Sequence, residues 1–177
     1  MIVKILNKSS SEFNGVIYND KKIEKGKGEL LSIKNFPAHL NHSSGAPDIK
    51  NYLKAVSKNN SRIKNPQFHA TISAKGREYS KEQLALTADK FMDKMGYGEQ
   101  PYIVVFHNDT ANNHIHIVST RVNKDSSKRI ERDFEKYKSQ TALQETIKEL
   151  YGTDVHQNLE KLIDYNYSTL HQIKTLL

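Results

Sequence analysis

Three of the chain's eight histidines, His107, His114 and His116, fall within ten residues. Imidazoles gathered at one place can hold a metal ion, and the local sequence supplies the means to gather them. Tyr102-Ile103-Val104-Val105-Phe106 reads as a buried strand, and His114 to Val122 as a second. The intervening Asn108-Asp109-Thr110-Ala111-Asn112-Asn113 consists of the small polar types that build hairpin loops. Paired as a hairpin, the two strands set His107, at the close of the first, against the opening of the second. Directly opposed residues then have Cβ atoms roughly 5 Å apart. His114 and His116 stand two apart on a strand, so they point to one face, about 7 Å apart along the chain. Ile115 and Ile117 face the other way, where they can pack beneath a helix. A lone histidine on a strand is commonly a packing residue. Three that converge by both hairpin pairing and strand alternation outline a metal site. Imidazoles suit Zn, Mn, Fe, Ni or Cu better than Mg or Ca, and three ligands leave positions open, as catalytic sites do.

The pattern His-x-Asp-x-x-Asn-x-His-x-His is filled by His107, Asp109, Asn112, His114 and His116. It resembles motif III of the conjugative relaxases, the MobA-like mobilisation nucleases of the HUH endonuclease superfamily. All five defining positions are present at the right spacing. The resemblance implies a divalent metal cofactor, Mn²⁺ or Mg²⁺ in function, with Zn²⁺, Ni²⁺ or Cu²⁺ able to bind in vitro. Asp109 and Asn112 are then expected behind the ligands, fixing the hairpin or accepting an imidazole N–H. The family carries its nucleophilic tyrosine in an N-terminal motif I, and Tyr18 occupies the position that resembles it. A phenoxide can attack a phosphodiester and be displaced later; because tyrosine titrates near pH 10, it needs activation by a metal or base. Tyr52 and Tyr79 are the reserve candidates. Family motif II places a DNA-contacting serine on a strand, and Ser73 looks like it, with His69 on the same polar face.

Elements able to position these residues follow one another along the chain. Ile2 to Leu6 reads as a strand. Ser9-Ser10-Ser11-Glu12 is a capping box that should open a short helix, with Phe13, Val16 and Ile17 as its apolar stripe and Tyr18 at its end. Lys21, Lys22, Lys25 and Lys27, interrupted by Gly26 and Gly28, read as a loop suited to phosphate contacts. Glu29 to Phe36 looks like a strand, and 38–46 like a loop in which His39 and His42 are ordinary residues. Pro47-Asp48 opens a helix with Ile49, Leu53 and Val56 on one face. Gln67 to Ser73 alternates cleanly as a strand, Phe68, Ala70 and Ile72 on one side. Ser80-Lys81-Glu82-Gln83 is another capping box, opening a helix that Gly96 stops in the left-handed region. Arg121 to Arg132, with Lys124, reads as a mobile polar connection suited to DNA contacts. Asp133 should cap a helix with Phe134, Tyr137, Ile147 and Leu150 inward, and Val155 to Leu177 has helical apolar spacing. The expected fold is α+β, a central, mainly antiparallel sheet flanked by helices, which the resemblance makes five-stranded. Residues 1–152 form the expected nuclease domain; 153–177 form a C-terminal helix, read as the start of a longer natural protein.

Composition narrows the function. Lys and Arg number 27 against 20 acidic residues, a net charge of +7, which suits a polyanionic partner. With no cysteine, disulfides, zinc ribbons and thiol catalysis are excluded. No apolar run approaches the roughly 20 residues of a membrane span, so no membrane insertion is expected. The resemblance implies a bacterial cytoplasmic enzyme that nicks one strand of DNA at a plasmid or mobile-element origin of transfer. It implies a 5′-phosphotyrosine intermediate, later resolved by strand transfer, and accessory mobilisation proteins and a coupling protein as partners. Contacts to single-stranded DNA are expected from Ser73, Lys21, Lys22, Lys25, Lys27, Arg121 and Lys124. A rolling-circle replication initiator shares this chemistry and would differ in acting at a replication origin. A non-catalytic DNA-binding protein with a structural histidine–metal site would differ in not needing Tyr18.

Overall fold

The computed structural model describes residues 1–6 and 11–152. Among them the chain alternates short strands and helices: β1 (Ile2–Ile5), α1 (Asn14–Glu24), β2 (Gly28–Lys34), α2 (Ala46–Lys58), β3 (Gln67–Ser73), α3 (Lys81–Lys94), β4 (Tyr102–His107), β5 (His114–Thr120) and α4 (Glu135–Tyr151). The strands form one antiparallel sheet in the order β1-β3-β5-β4-β2. The fold is therefore α+β, with the two histidine strands in the middle. Contacts divide the chain into two compact units, Met1–Thr146 and Ile147–Leu177. The segment 153–177, expected to be helical, lies outside the described residues.

Strand alternation sorts the sheet into two faces. On one, Ile103, Val105 and Val118 pack against Phe13 just before α1, Val16 of α1 and Ala46, Ile49 and Leu53 of α2. On the other, Tyr102 donates to Asp89 of α3 and Phe68 stacks on Tyr97 just beyond it, with ring centres 4.3 Å apart. As expected, β4 is covered on both sides, and Ile115 and Ile117 are fully buried. The capping box of α3 is formed, Ser80 and Gln83 bonding each other's backbone, and Gly96 ends the helix at φ +77°.

Helix α1 departs from expectation. It begins at Asn14, preceded by Phe13 in the left-handed region, and not from the Ser9–Glu12 box. Ser9 lies outside the described residues, and Glu12 is instead ion-paired with Lys54, 2.8 Å away. The helix also runs past Tyr18 to Glu24: buried Asn19 turns its amide N–H back into the helix, donating to Gly15 O at 2.7 Å. It stops at Gly26, where Gly26 N–H reaches Ile23 O and Lys27 N–H reaches Lys22 O, a Schellman closure. Lys21 and Lys22 are thus helical, not loop residues. Gly15 sits where α1 crosses β3: a Cβ there would lie 2.9 Å from His69 Nδ1 and 3.0 Å from Gln67 Oε1.

Two further expectations are corrected. The 121–132 connection is a bonded turn, with Val122 bridged to Arg129 and Asn123 Oδ1 accepting from the Asp125 and Ser126 amides. Phe134, not Asp133, precedes the first residue of α4, and Phe134 and Tyr137 are 81% and 74% exposed. The buried stripe consists of Ser139, Ala142, Leu143 and Thr146, mostly small residues, and packing on that face turns the aromatics outward. The α1 crossing has no room for a bulky residue. Gly15→Val is expected to cost about 1–3 kcal/mol through overpacking, measured as a lowered urea midpoint at unchanged m-value.

Candidate metal centre

The register places His107 directly opposite His114, and β5 continues the pairing with Val105 opposite His116. On the other side of β5, His114 faces Ser73 and His116 faces Thr71. All of these side chains project from the sheet face that carries α1. One ligand nitrogen from each of His107, His114 and His116 can be chosen so that the three lie within 4.8 Å of one another. Ring centres are 4.4 Å apart for His107 and His116, 5.2 Å for His107 and His114, and 5.5 Å for His114 and His116.

The hydrogen bonding of the three rings favours a cation between them. His107 is buried, and neither of its ring nitrogens has a hydrogen-bond partner. An unsatisfied buried imidazole is costly, and a metal ion is a partner that both nitrogen chemistry and position allow. His114 Nδ1 lies 3.1 Å from Asn112 O, so it donates to that carbonyl and leaves Nε2 as the lone-pair nitrogen. His116 Nδ1 lies 2.9 Å from Nε2 of buried His69. This contact leaves His116 Nε2 for a ligand role and makes His69 the orienting partner behind it. Burial pushes the imidazoles of His107 and His69 down to about 4, the neighbouring His114 and His107 respectively adding to the effect. Burial, reinforced by the surrounding histidines, likewise lowers His116. His69, His107 and His116 are therefore neutral at physiological pH, the form that binds metal.

Helix α1 lays Tyr18 over this cluster. Its ring centre is 5.7 Å from that of His116 and 6.1 Å from that of His107, and the residue is 47% exposed. Lys22, one turn on, is ion-paired with Asp109, and each group holds the other in its charged form: Lys22 above and Asp109 below its ordinary range. Asn112 fixes the hairpin loop, its Oδ1 accepting from Gly76 N at 2.7 Å. Its neighbour Asn113 has a role missed in the sequence. Asn113 is buried, accepts from Arg77 at 2.9 Å, donates to Tyr79 O at 3.0 Å, and so clasps the loop before His114 to the segment after Ser73. A polar residue directly preceding a ligand, in a loop of asparagines, was the only signal.

The remaining expected residues fall in two places. Ser73 is beside His114 in the ladder, and exposed Lys21, Lys25 and Lys27 lie on the last turns of α1 and the following turn. Arg121 and Lys124 lie beyond the far end of β5, seven or more residues along from His114. Arg121, expected on DNA, is instead 3% exposed, donates to Gln67 O and Glu135, and stacks on Phe68. Of the reserve tyrosines, Tyr52 packs on Phe36 with ring centres 5.2 Å apart; Tyr79 lies in the segment clasped by Asn113.

Three histidines on adjacent central strands, a hydrogen-bonded histidine behind them and a tyrosine in front define a candidate metal nuclease centre on an α+β sheet. The family model described as relaxase, MobA/VirD2-like, nuclease domain matches residues 18–152. The chain belongs to that family, whose members cleave DNA. No curated protein and no solved structure gives a significant match. No helix among the described residues is long and apolar enough to cross a membrane.

Removing the orienting hydrogen bond should loosen the site. His69→Ala is expected to weaken Mn²⁺ or Zn²⁺ binding by about 10–100-fold, measured by isothermal titration. Metal-free protein should also lose stability in acid. Unfolded imidazoles take up protons near 6.5, whereas His69 and His107 stay neutral down to about 4 when folded. The unfolded state then binds more protons in that window, so stability falls as pH drops from about 6.5 to about 4. Thermal melts across this range test it, and a flat profile is the contrary result.

Proposed function

We propose that this protein is a metal-dependent relaxase that nicks one DNA strand at a plasmid or mobile-element origin of transfer and later rejoins it. The observation that carries this reading is Tyr18 held over His116 and His107 at 5.7 and 6.1 Å between ring centres. His107, His114 and His116 are the residues that would hold a divalent cation, Mn²⁺ or Mg²⁺ in function. When bound, such an ion polarises the scissile phosphate and offsets charge that develops during attack.

The chain's own residues supply the rest. The Tyr18 hydroxyl oxygen attacks phosphorus, the bond from phosphorus to the 3′ oxygen breaks, and a 5′-phosphotyrosine link forms. The proton lost by the phenol is balanced by the one gained at the departing 3′ hydroxyl. The reverse attack, by a 3′ hydroxyl on the phosphotyrosine, restores the phosphodiester and frees Tyr18. One ester replaces another at each step, so no nucleotide is consumed. Ser73, opposite His114 in the ladder, would contact the phosphate next to the cleaved bond. Lys21, Lys25 and Lys27 extend a basic edge from the tyrosine's helix along which single-stranded DNA can run. Lys124, in the turn beyond the far end of β5, would meet DNA only at a distance from the nucleotide being cleaved. Accessory mobilisation proteins, a coupling protein and action in the bacterial cytoplasm complete this reading.

Covalent capture tests it. The protein is incubated with Mn²⁺ and single-stranded oligonucleotides tiled across the DNA flanking its own gene, then denatured and examined by mass spectrometry. A DNA adduct on Tyr18 is expected, absent in Tyr18→Phe and in EDTA and reduced at least about 100-fold in His116→Ala. An adduct on another tyrosine would keep the reaction and remove Tyr18 from it.

A further inference from the structure

Helix α1 is tied to the sheet on both sides of Tyr18. On the N-terminal side, Gly15 N–H donates to Gln67 Oε1 at 2.9 Å, and Gly15 lies against His69. On the C-terminal side, Lys22 follows Tyr18 by four residues, one helical turn, and so stands on the same side of the helix. Its ammonium lies 5.9 Å from the Tyr18 ring centre and is ion-paired with Asp109. The two side chains of that pair are 26% and 13% exposed, shielded where Lys21, Lys25 and Lys27 are open to solvent. Asp109 follows His107 by two residues, on the loop that leads to His114. The neighbouring backbone contact, Asn108 N–H to Lys27 O, is long at 3.5 Å, which leaves the ion pair as the stronger tie at this end.

We propose that Lys22 and Asp109 are a positioning pair that clamps the tyrosine-bearing helix to the histidine loop and sets the distance from Tyr18 to the three imidazoles. The proposal rests on Tyr18 as the nucleophile. It takes Lys22 out of the set of lysines available to DNA phosphates and gives Asp109 a partner on the helix, not on an imidazole. The pair joins the two elements that the reaction must bring together. Displacing a reacting group by about 1 Å costs on the order of 100-fold in rate, so a modest ion pair can have a large kinetic effect without contributing much to stability.

The test compares Lys22→Ala, Asp109→Ala, the double variant and the charge swap Lys22→Asp with Asp109→Lys. Each single variant is expected to slow formation of the Tyr18–DNA adduct, at saturating oligonucleotide, by about 10–100-fold. The double variant should be no slower than either single one, and the swap should regain part of the rate. Affinity for single-stranded DNA and its salt dependence should stay those of the unaltered protein. A 3-fluorotyrosine placed at position 18 reports the ring's surroundings without any DNA, and its ¹⁹F resonance should move in both single variants. An unmoved resonance overturns the clamp. So does Asp109→Ala reacting at full rate while Lys22→Ala lowers the salt slope by about one, the mark of a lost phosphate contact. Absence of an adduct in the unaltered protein would overturn the nucleophile reading, with the resonance still deciding the clamp.

Discussion

The structure depends first on the register of β4 against β5. His107 opposite His114 is a pairing fixed residue by residue along both strands. Side chains alternate with a period of two, so a slip of one residue would send His114 and His116 to the α3 face and bring Ile115 and Ile117 out in their place. That slip is blocked energetically because Ile115, Ile117 and Val104 are fully buried on one face and Val105 and Val118 on the other. The hydrophobic core thus holds the metal ligands in place. The β4–β5 loop needs its own restraint, since six residues, five of them polar, could close in many ways. It comes from Asn112 and Asn113, which bond the segment after Ser73 through Gly76, Arg77 and Tyr79.

Placing imidazoles under a helix is costly, and the surroundings of the site bear the marks of that cost. Buried polar groups need partners, and the cluster meets the need in two ways, a carbonyl for His114 and a second histidine for His116, whereas His107 has no protein partner. Two glycines make the burial sterically feasible. A Cβ on Gly15 would meet His69, and one on Gly28 would lie 3.2 Å from His107 Cδ2. The first lets the helix descend onto β3; the second lets β2 close against β4 beside the ring. Both glycines serve the histidines more than the turns near them. The positive φ in this region belongs to Gly26, which ends the helix.

Much of this could be read from the chain because it is local. The hairpin, its opposed histidines, the isoleucines on the opposite face, the alternating β3 and the capping box of α3 each follow from short-range periodicity or a two-residue hydrogen bond. The errors arose where distant contacts decided. Asn19 and Asp20 look like a helix end, yet Asn19 is buried and bonds inside the helix, and α1 continues and carries Lys22 to Asp109, 87 positions away. Arg121 looks like a free cation after a strand, but Glu135 and the Phe68 ring receive it. Phe134 and Tyr137 look like core residues by type, and only the small-residue stripe two turns later shows which face packs. His69 could be placed on the right face, but its bond to His116 depends on β3 pairing with β5 across 47 positions.

The two parts of the site have different mechanical characters, and this difference bears on how it works. The histidines stand on the three most deeply covered strands, where burial on both faces leaves little freedom. Tyr18 stands on the exposed side of a helix joined to the sheet by the buried side chains of Phe13 and Val16, by the Gly15 N–H bond to Gln67 and by the Lys22–Asp109 pair, rather than by a ladder. A tyrosine that attacks a phosphate and is later displaced must move by roughly the difference between a non-bonded contact and a covalent bond, about 1.5 Å. A side chain on the open face of a packed helix can make that shift, whereas a central strand cannot move without breaking its pairing. Ligands on the sheet and nucleophile on the helix therefore place rigidity where a cation must be held in fixed geometry, and compliance where a bond must form and break.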